Sequence, residues 1–201
     1  LFSSYNLLFL VPKALFFLYT YQQAHRESSP WSLYYRIKML FWECIWASFC
    51  KWTPKPFNQW RLFVLRSFGS NIIGTPFVHQ RARVEHPWNL TLYHQASIGD
   101  RTHLYCLADI VVEEGAIVAQ EAYVCTGTHV FTNSTRALQT APINIGSDSF
   151  VGARSFILPG ISIGKGAIIG ACSVVTRSIE PYVFVAGNPA KVIRHYAPYA
   201  D

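Results

Sequence analysis

Aliphatic side chains recur at every sixth position in the C-terminal part of the chain. Six successive hexads span residues 145–180, and each opens with isoleucine or valine. Four of the six carry glycine at the second place, and four carry serine or alanine at the fifth, where a tight turn leaves room only for a small side chain. The opening residues are Ile145, Val151, Ile157, Ile163, Ile169 and Val175.

The same period begins earlier in the chain, with a two-residue shift between positions 110 and 112. A period of six matches neither the 3.6 of a helix nor the 2 of a long strand, but it fits short strands joined by turns around a prism. The aliphatic side chains would then point into the prism axis, and an ordinary β-sandwich is the disfavoured alternative. The earlier set is Ile98, Leu104 and Ile110, followed by Val112, Val118 and Val124.

The ladder is interrupted once by a long segment. Residues 130–142 lack the period, which resumes at Ile143. Because stacked coils tolerate an insertion between neighbours, we expect a loop at 130–142. The repeat domain is therefore predicted over residues 73–201, after an N-terminal helical region over residues 1–72.

Two helices are predicted before the repeats. Residues 32–51 carry bulky apolar side chains almost all round, and prolines at 54 and 56 end this stretch. Residues 57–68 form a shorter amphipathic helix in which Gly69 is the expected C-terminal cap. Residues 1–19 are largely apolar, carry a single charge at Lys13 and lack signal-peptide features. We expect that segment to pack on the body or to lie at a membrane surface.

Composition narrows the classes of partner. The chain is 51% hydrophobic and 14% charged, so we expect part of its surface to contact another subunit or a membrane. The net charge is +6, but the sequence contains no Lys/Arg run interleaved with aromatic residues. We therefore expect no nucleic-acid partner. The five cysteines have no metal-type spacing and are odd in number, which favours reduced thiols in the cytoplasm.

Several motifs resemble the hexapeptide-repeat acyltransferases, in particular the colanic-acid-type sugar O-acetyltransferases. The resemblance extends from about Trp31 to Arg194 and leaves the first thirty residues unexplained. It implies an all-β fold, a left-handed parallel β-helix with N-terminal α-helices, and a homotrimer with active sites between adjacent prisms. The motifs are residues 31–33, 56–57, 87–90, 120–129, 140–143 and 183–193.

His129 is the predicted catalytic base. Acetyl transfer from a thioester to a hydroxyl needs a proton acceptor, and histidine, with an unperturbed pKa of about 6.5, suits that role. By resemblance, His129 would take the hydroxyl proton while the oxygen attacks the acetyl carbonyl. A turn histidine with a satisfied hydrogen bond is the alternative. Cys125 stands where glycine occurs in other hexads, so we expect it to be structural. His94 and His103 raise a zinc hypothesis, but His129 has no nearby histidine partner, and we expect no metal.

The resemblance also implies residues that bind acetyl-CoA. Ala153, Ala171 and Thr176 match positions that line the pantetheine groove, and Lys191, helped by Arg194 or Arg177, would face the phosphates. The alternatives are that the alanines only satisfy tight turns and that Lys191 is a solvated surface charge.

Acceptor contacts are predicted for Trp88, Asn89 and Glu121, which fall in motifs typical of the family. Each could equally stabilise a turn or a subunit contact. Cys106 stands where the family often has asparagine or aspartate. This chain therefore lacks a hydroxyl-binding side chain that the family pattern would supply, and the resemblance does not identify its acceptor.

The sequence therefore predicts an acetyl-CoA-dependent O-acetyltransferase acting on a sugar or glycan precursor in polysaccharide biosynthesis. An N-acetyltransferase on an amino sugar and a non-catalytic trimeric scaffold are the alternatives. The expected location is the cytoplasm, with peripheral contact to the inner face of the membrane through the N-terminal segment.

Overall fold

In a computed structural model of the chain, which describes residues 19–20, 31–130 and 136–197, short parallel strands pass in rotation through three sheets. We call these sheets the first, second and third faces of a β-solenoid, the architecture that the hexad period predicts. The first face contains Asn71–Ile72, Leu90–Leu92, Ile110–Val112, Ile143–Ile145 and Ser162–Ile163. The second contains Phe77–Val78, Ser97–Ile98, Ile117–Val118, Phe150–Val151, Ile168–Ile169, Val183–Ala186 and Lys191–His195. The third contains Arg83–Glu85, His103–Tyr105, Tyr123–Cys125, Phe156–Ile157 and Val174–Val175.

The two-residue shift in the sequence period reflects a change in coil length. Val84 pairs with Leu104 and Leu104 with Val124, so each of these coils takes 20 residues. Ile145 pairs with Ile163, a coil of 18 residues. The two extra residues lie between the third and first faces. Ile110 follows Leu104 by six positions, whereas its equivalent in the shorter coil, Ile161, follows Ile157 by four.

Stacked aliphatic side chains fill the solenoid axis. All six residues that open the hexads between 145 and 180 are at most 1% exposed, which confirms their predicted inward orientation. Glycine at the second place of a hexad has a steric cause: a Cβ on Gly152 would lie 2.6 Å from the backbone nitrogen of Ala171 in the next coil. That distance is shorter than a van der Waals contact allows, so a side chain there would push the coils apart.

The interruption predicted as a loop contains a strand. The chain leaves the third face after Cys125, and Gly127–His129 pairs antiparallel with Leu138–Thr140. Tyr19–Thr20 pairs with the other edge of Leu138–Thr140, which gives a three-stranded sheet. Within the interval 130–142, Leu138–Thr140 is therefore one arm of a β-hairpin, because backbone pairing across the insertion needs no hexad pattern.

Both predicted helices are present. Helix α1 spans Leu33–Phe49, and the Ser32 hydroxyl caps it by accepting from the Tyr35 amide at 3.2 Å. A 3₁₀ turn at Lys55–Phe57 leads into α2, Asn58–Ser67, and a second 3₁₀ turn lies at Pro87–Asn89. Gly69 has φ +95°, a left-handed conformation that lets the chain leave the helix, as predicted.

The helices pack against the first coil and share its core. The indole N–H of Trp42 donates to the Val84 carbonyl at 2.7 Å, and that of Trp46 donates to the Ala82 carbonyl at 3.1 Å. Arg61 of α2 is fully buried, and its Nε donates to the Val78 carbonyl at 2.8 Å. One continuous cluster of buried side chains therefore joins α1, α2 and the coils.

Among the helices that the structure describes, none combines the length and apolar character needed to cross a bilayer. The apolar segment at residues 1–19 lies outside the described residues except for Tyr19.

Candidate active site

His129 ends the first strand of the hairpin, at the corner between the third and first faces. Across the hairpin, His129 pairs with Leu138 and Gly127 with Thr140. The imidazole is exposed to solvent. The histidine predicted at a break in the ladder thus lies on an edge strand of the three-stranded antiparallel sheet.

The hydrogen bond of His129 fixes which of its ring nitrogens is free. Its Nδ1 lies 2.8 Å from the backbone oxygen of Arg136. A carbonyl oxygen can only accept, so in the neutral imidazole Nδ1 carries the proton and Nε2 keeps its lone pair. An exposed, unprotonated Nε2 is the group that a general base requires.

Thr126 anchors both arms of the hairpin to the prism. Its hydroxyl donates to the Tyr105 carbonyl at 2.7 Å and accepts from the Ala108 amide at 3.0 Å. Its own carbonyl accepts from the Ala141 amide at 2.9 Å. The thiol of Cys125 is buried and donates to the Gly127 carbonyl at 3.2 Å. That contact is consistent with the structural role expected for this cysteine.

A polar and aromatic cluster lies on the outer side of the third face, on the three successive strands that lead to the hairpin. One oxygen of Glu85 lies 2.8 Å from both His103 Nε2 and Arg83 Nη2. The His103 ring stacks on Tyr123, with centroids 4.6 Å apart and planes at 10°. The Tyr105 ring adjoins both this stack and the hairpin base: its centroid is 6.0 Å from that of His103, and its Cε1 would lie 3.2 Å from a Cβ on Gly127.

The environment shifts the ionisation of this cluster. Burial would raise the pKa of Glu85, but the hydrogen bond from His103 and the charge of Arg83 lower it below its usual range. Burial raises the pKa of Tyr105 and of Tyr123, so both phenols keep their protons. The cluster therefore presents a fixed carboxylate and two hydroxyl donors, groups that suit a polyhydroxylated ligand.

Apart from His103, which was considered only as a zinc ligand, the residues of this cluster were not predicted as site residues. Its signal is a 20-residue period in outward positions: Arg83, His103 and Tyr123 pair across coils, as do Glu85, Tyr105 and Cys125. A comparison of residues 20 positions apart, which pair in successive coils, would have identified the cluster.

Trp88 and Asn89 lie at the same corner as the hairpin but in an earlier coil. Asn89 Nδ2 donates to the carbonyls of Cys106 at 2.9 Å and Leu107 at 3.2 Å. Trp88 Nε1 donates to the Tyr35 hydroxyl at 3.1 Å. These bonds hold the corner and the start of α1 together, which is the turn-stabilising alternative raised for both residues.

Glu121 lies at a different corner, between the second and third faces. Its carboxylate oxygens lie 2.6 Å from Arg154 Nε and 3.5 Å from Arg101 Nη1, so it bridges arginines of the coils before and after it. The hydrogen bond and charge of Arg154 lower the pKa of Glu121. Within one chain, the third face separates Glu121 from His129.

Most residues predicted to bind acetyl-CoA lie at this same corner between the second and third faces, which we call the second corner. Ala153 and Ala171 stack in adjacent coils, where the Cys172 amide donates to the Ala153 carbonyl at 2.8 Å. Lys191 begins the last strand and pairs with Ala186, with its side chain exposed. Thr176 is exposed but follows the third face, at the corner that bears His129.

Cys106 points into the prism. It is fully buried, its Sγ lies 3.5 Å from the Leu104 carbonyl, and burial raises its pKa. The residue that departs from the family pattern is thus a core side chain.

Over the described ranges, no group of three or more His, Cys, Asp and Glu side chains is arranged to hold a metal ion. His94 lies 3.3 Å from the Thr75 amide, and His103 is engaged by Glu85.

Comparison with known proteins gives consistent matches. Residues 142–177 match the family model described as bacterial transferase hexapeptide (six repeats). The chain is 35% identical over 158 residues to WcaF of Escherichia coli, which is assigned to colanic acid biosynthesis as an acetyltransferase; the match covers 79% of this chain and 87% of WcaF.

Solved structures share the fold. A maltose O-acetyltransferase from Clostridium difficile superposes with a TM-score of 0.71 at 22% identity, over 83% of this chain and 90% of that one. A hexapeptide-repeat acetyltransferase from Vibrio cholerae, in complex with acetyl coenzyme A, gives a TM-score of 0.75 at 16% identity, over 85% and 93% of the two chains.

Proposed function

Because this chain belongs to the hexapeptide-repeat acetyltransferases, we propose that it transfers the acetyl group of acetyl-CoA to a hydroxyl of a sugar or glycan precursor in polysaccharide biosynthesis. The observation that carries the proposal is the free Nε2 of His129, exposed on the hairpin and oriented by the Arg136 carbonyl. The relative WcaF and the maltose O-acetyltransferase support a saccharide acceptor.

His129 acts as general base in this scheme. Nε2 takes the proton of the acceptor hydroxyl as its oxygen bonds to the acetyl carbonyl carbon. The imidazolium is stabilised because Nδ1–H already donates to a carbonyl oxygen. The proton then passes from Nε2 to the departing sulfur, so His129 ends neutral and the products are the acetyl ester and free CoA.

Acetyl-CoA supplies the activated acyl group, and the second corner fits its chemistry. Ala153 and Ala171 leave room beside the backbone, as a narrow pantetheine arm requires. Lys191 is an exposed cation that can bind a phosphate, and Arg194 is exposed in the same strand. Thr176 would contact the arm nearer His129.

The acceptor would lie along the third face. The carboxylate of Glu85 and the phenols of Tyr105 and Tyr123 offer hydrogen bonds to sugar hydroxyls below the hairpin. Trp88 and Asn89 border the same corner. Glu121 could reach an acceptor bound at His129 of a neighbouring subunit, since the two residues lie at separate corners of one prism.

A homotrimer is therefore part of the proposal. It would bring the corner with His129 of one copy towards the corner with Ala153 and Ala171 of the next. Light scattering coupled to size exclusion tests this, with three times the chain mass expected and a monomeric mass contradicting it. We also propose a cytoplasmic location, supported by five free cysteines.

Release of free CoA, measured with acetyl-CoA and a panel of neutral and amino sugars, tests the activity. We expect turnover with a neutral sugar and a product that mild alkali cleaves, as an ester does. An alkali-stable product formed only from amino sugars would indicate N-acetylation. Failure to bind acetyl-CoA in calorimetry would favour a non-catalytic scaffold.

A further inference from the structure

The outward side of α1 is apolar. Ile37, Leu40 and Phe41 occupy one side of the helix and are all more than half exposed. The opposite side already packs on the prism through Trp42. Among the described residues, none covers this apolar side of the helix.

Helix α2 extends the same apolar region. Trp60 and Phe63 are exposed, and Trp60 Nε1 donates to the Phe49 carbonyl of α1 at 2.9 Å. Between the two helices runs an apolar groove of about 280 Å³, lined in part by Phe49, Trp60 and Phe63. We call this continuous patch the helical surface; it consists of Ile37, Leu40, Phe41, Phe49, Trp60 and Phe63.

The segment that carries the helical surface is positively charged. Apart from buried Arg61, residues 31–70 carry five basic side chains and one carboxylate, Glu43, a net charge of +4. Four of the basic side chains are exposed: Arg36, Lys51, Lys55 and Arg66. The fifth, Lys38, has its Nζ 3.7 Å from the centroid of the Trp88 ring.

We propose that the helical surface docks on an anionic lipid bilayer. Tryptophan and phenylalanine insert at the boundary between headgroups and acyl chains, and lysine and arginine contact anionic headgroups. Helix α1 is held against the prism, so it would lie in the plane of the interface with Ile37, Leu40 and Phe41 directed into the bilayer.

Charge favours a bilayer over a second copy of the chain. A two-fold contact through the helical surface would bring the positively charged segment 31–70 of one copy against the same segment of its partner. Like charges across an interface oppose association. Anionic headgroups carry the opposite charge and would attract this segment.

Vesicle flotation of the full chain tests the proposal. We expect binding to vesicles of phosphatidylcholine mixed with phosphatidylglycerol, weaker binding to phosphatidylcholine alone, and loss of binding at high salt. The double variant Leu40→Ser/Phe63→Ser removes side chains that are 61% and 58% exposed and should weaken binding at least about tenfold. The matched control, Val192→Ser/Ile193→Ser, removes side chains that are 56% and 57% exposed near the C-terminal end of the solenoid and should bind as the wild type does.

Acetyl transfer to a soluble sugar verifies that the Leu40→Ser/Phe63→Ser variant is folded. Unchanged vesicle binding by that variant would overturn the proposal and assign binding to another part of the chain. A wild-type oligomer that forms in the absence of lipid and dissociates in this variant would also overturn the proposal, because a second copy would then occupy the helical surface. Absence of wild-type binding to the anionic vesicles would also refute it.

Discussion

The imidazole of His129 and the backbone carbonyl of Arg136 face each other across the hairpin, with Nδ1 and the oxygen 2.8 Å apart. This hydrogen bond joins the two arms of the insertion and selects the tautomer in which Nε2 is free. The proposed catalytic role of His129 and its role in holding the hairpin therefore fall on one side chain, and substitution can separate them.

His129→Ala should lower kcat by about 10²- to 10⁴-fold, because it removes the proton acceptor. His129→Asn is the informative partner variant, since its amide N–H can replace the Nδ1–H donor to Arg136 while offering no base. We expect both variants to be equally inactive in a CoA-release assay and to fold normally by circular dichroism. Recovery of activity in His129→Asn would assign the residue a structural role.

Glu85→Gln should raise the KM for the acceptor about fivefold, because it replaces a charged hydrogen-bond acceptor by a neutral one. The KM for acetyl-CoA should change by less than about twofold, since Glu85 is not among the residues proposed to bind the coenzyme. Steady-state kinetics with each substrate varied separately measures this. Glu114→Gln, an exposed carboxylate outside the third face, is the control. An equal change in both KM values would argue against an acceptor site on the third face.

Gly152→Ala should destabilise the solenoid by about 1–3 kcal/mol, because the new Cβ would overlap the backbone of the next coil. Chemical denaturation at neutral pH gives the free energy of unfolding. Ala171→Ser, at an exposed position in that coil, should change it by less than about 0.5 kcal/mol. If the two variants were equally stable, the steric account of glycine at this place would be wrong.

His86 should make stability depend on pH in the mildly acidic range. Its ring is 2% exposed among Trp31, Tyr35 and Trp88, and burial lowers its pKa from 6.5 to about 4. Between these two values the unfolded chain binds a proton that the folded chain does not. The free energy of unfolding therefore falls as pH drops from about 6.5 to about 4.

Between pH 7.5 and 5 the expected loss from His86 is about 2 kcal/mol, measured by urea denaturation. His86→Asn suits the left-handed backbone at this position, φ 56°, and should lack that part of the pH dependence. His94→Asn, which changes an exposed histidine, should retain it. A pH profile that is the same in all three proteins would refute the assignment to His86.

Local pattern was sufficient to predict the solenoid. Ile157 and Val175 repeat on a fixed period because each must fill the same axial position in successive coils. Gly69 was predictable for a similar reason, since a helix end needs a residue that tolerates positive φ. The family motif around His129 singled out the catalytic candidate, and its free tautomer follows only from the contact with Arg136.

The sequence by itself thus determined the repeat, the inward residues, the two helices and the histidine at the break, because each depends on neighbours within one or two turns of chain. Only the tertiary structure decided that residues 138–140 form a strand and that Cys106 is a core side chain. It alone placed Glu121 and His129 at separate corners and gathered Glu85, His103 and Tyr123 on one face. Those relationships depend on how coils of 20 and 18 residues stack, and stacking brings together residues that are distant along the chain.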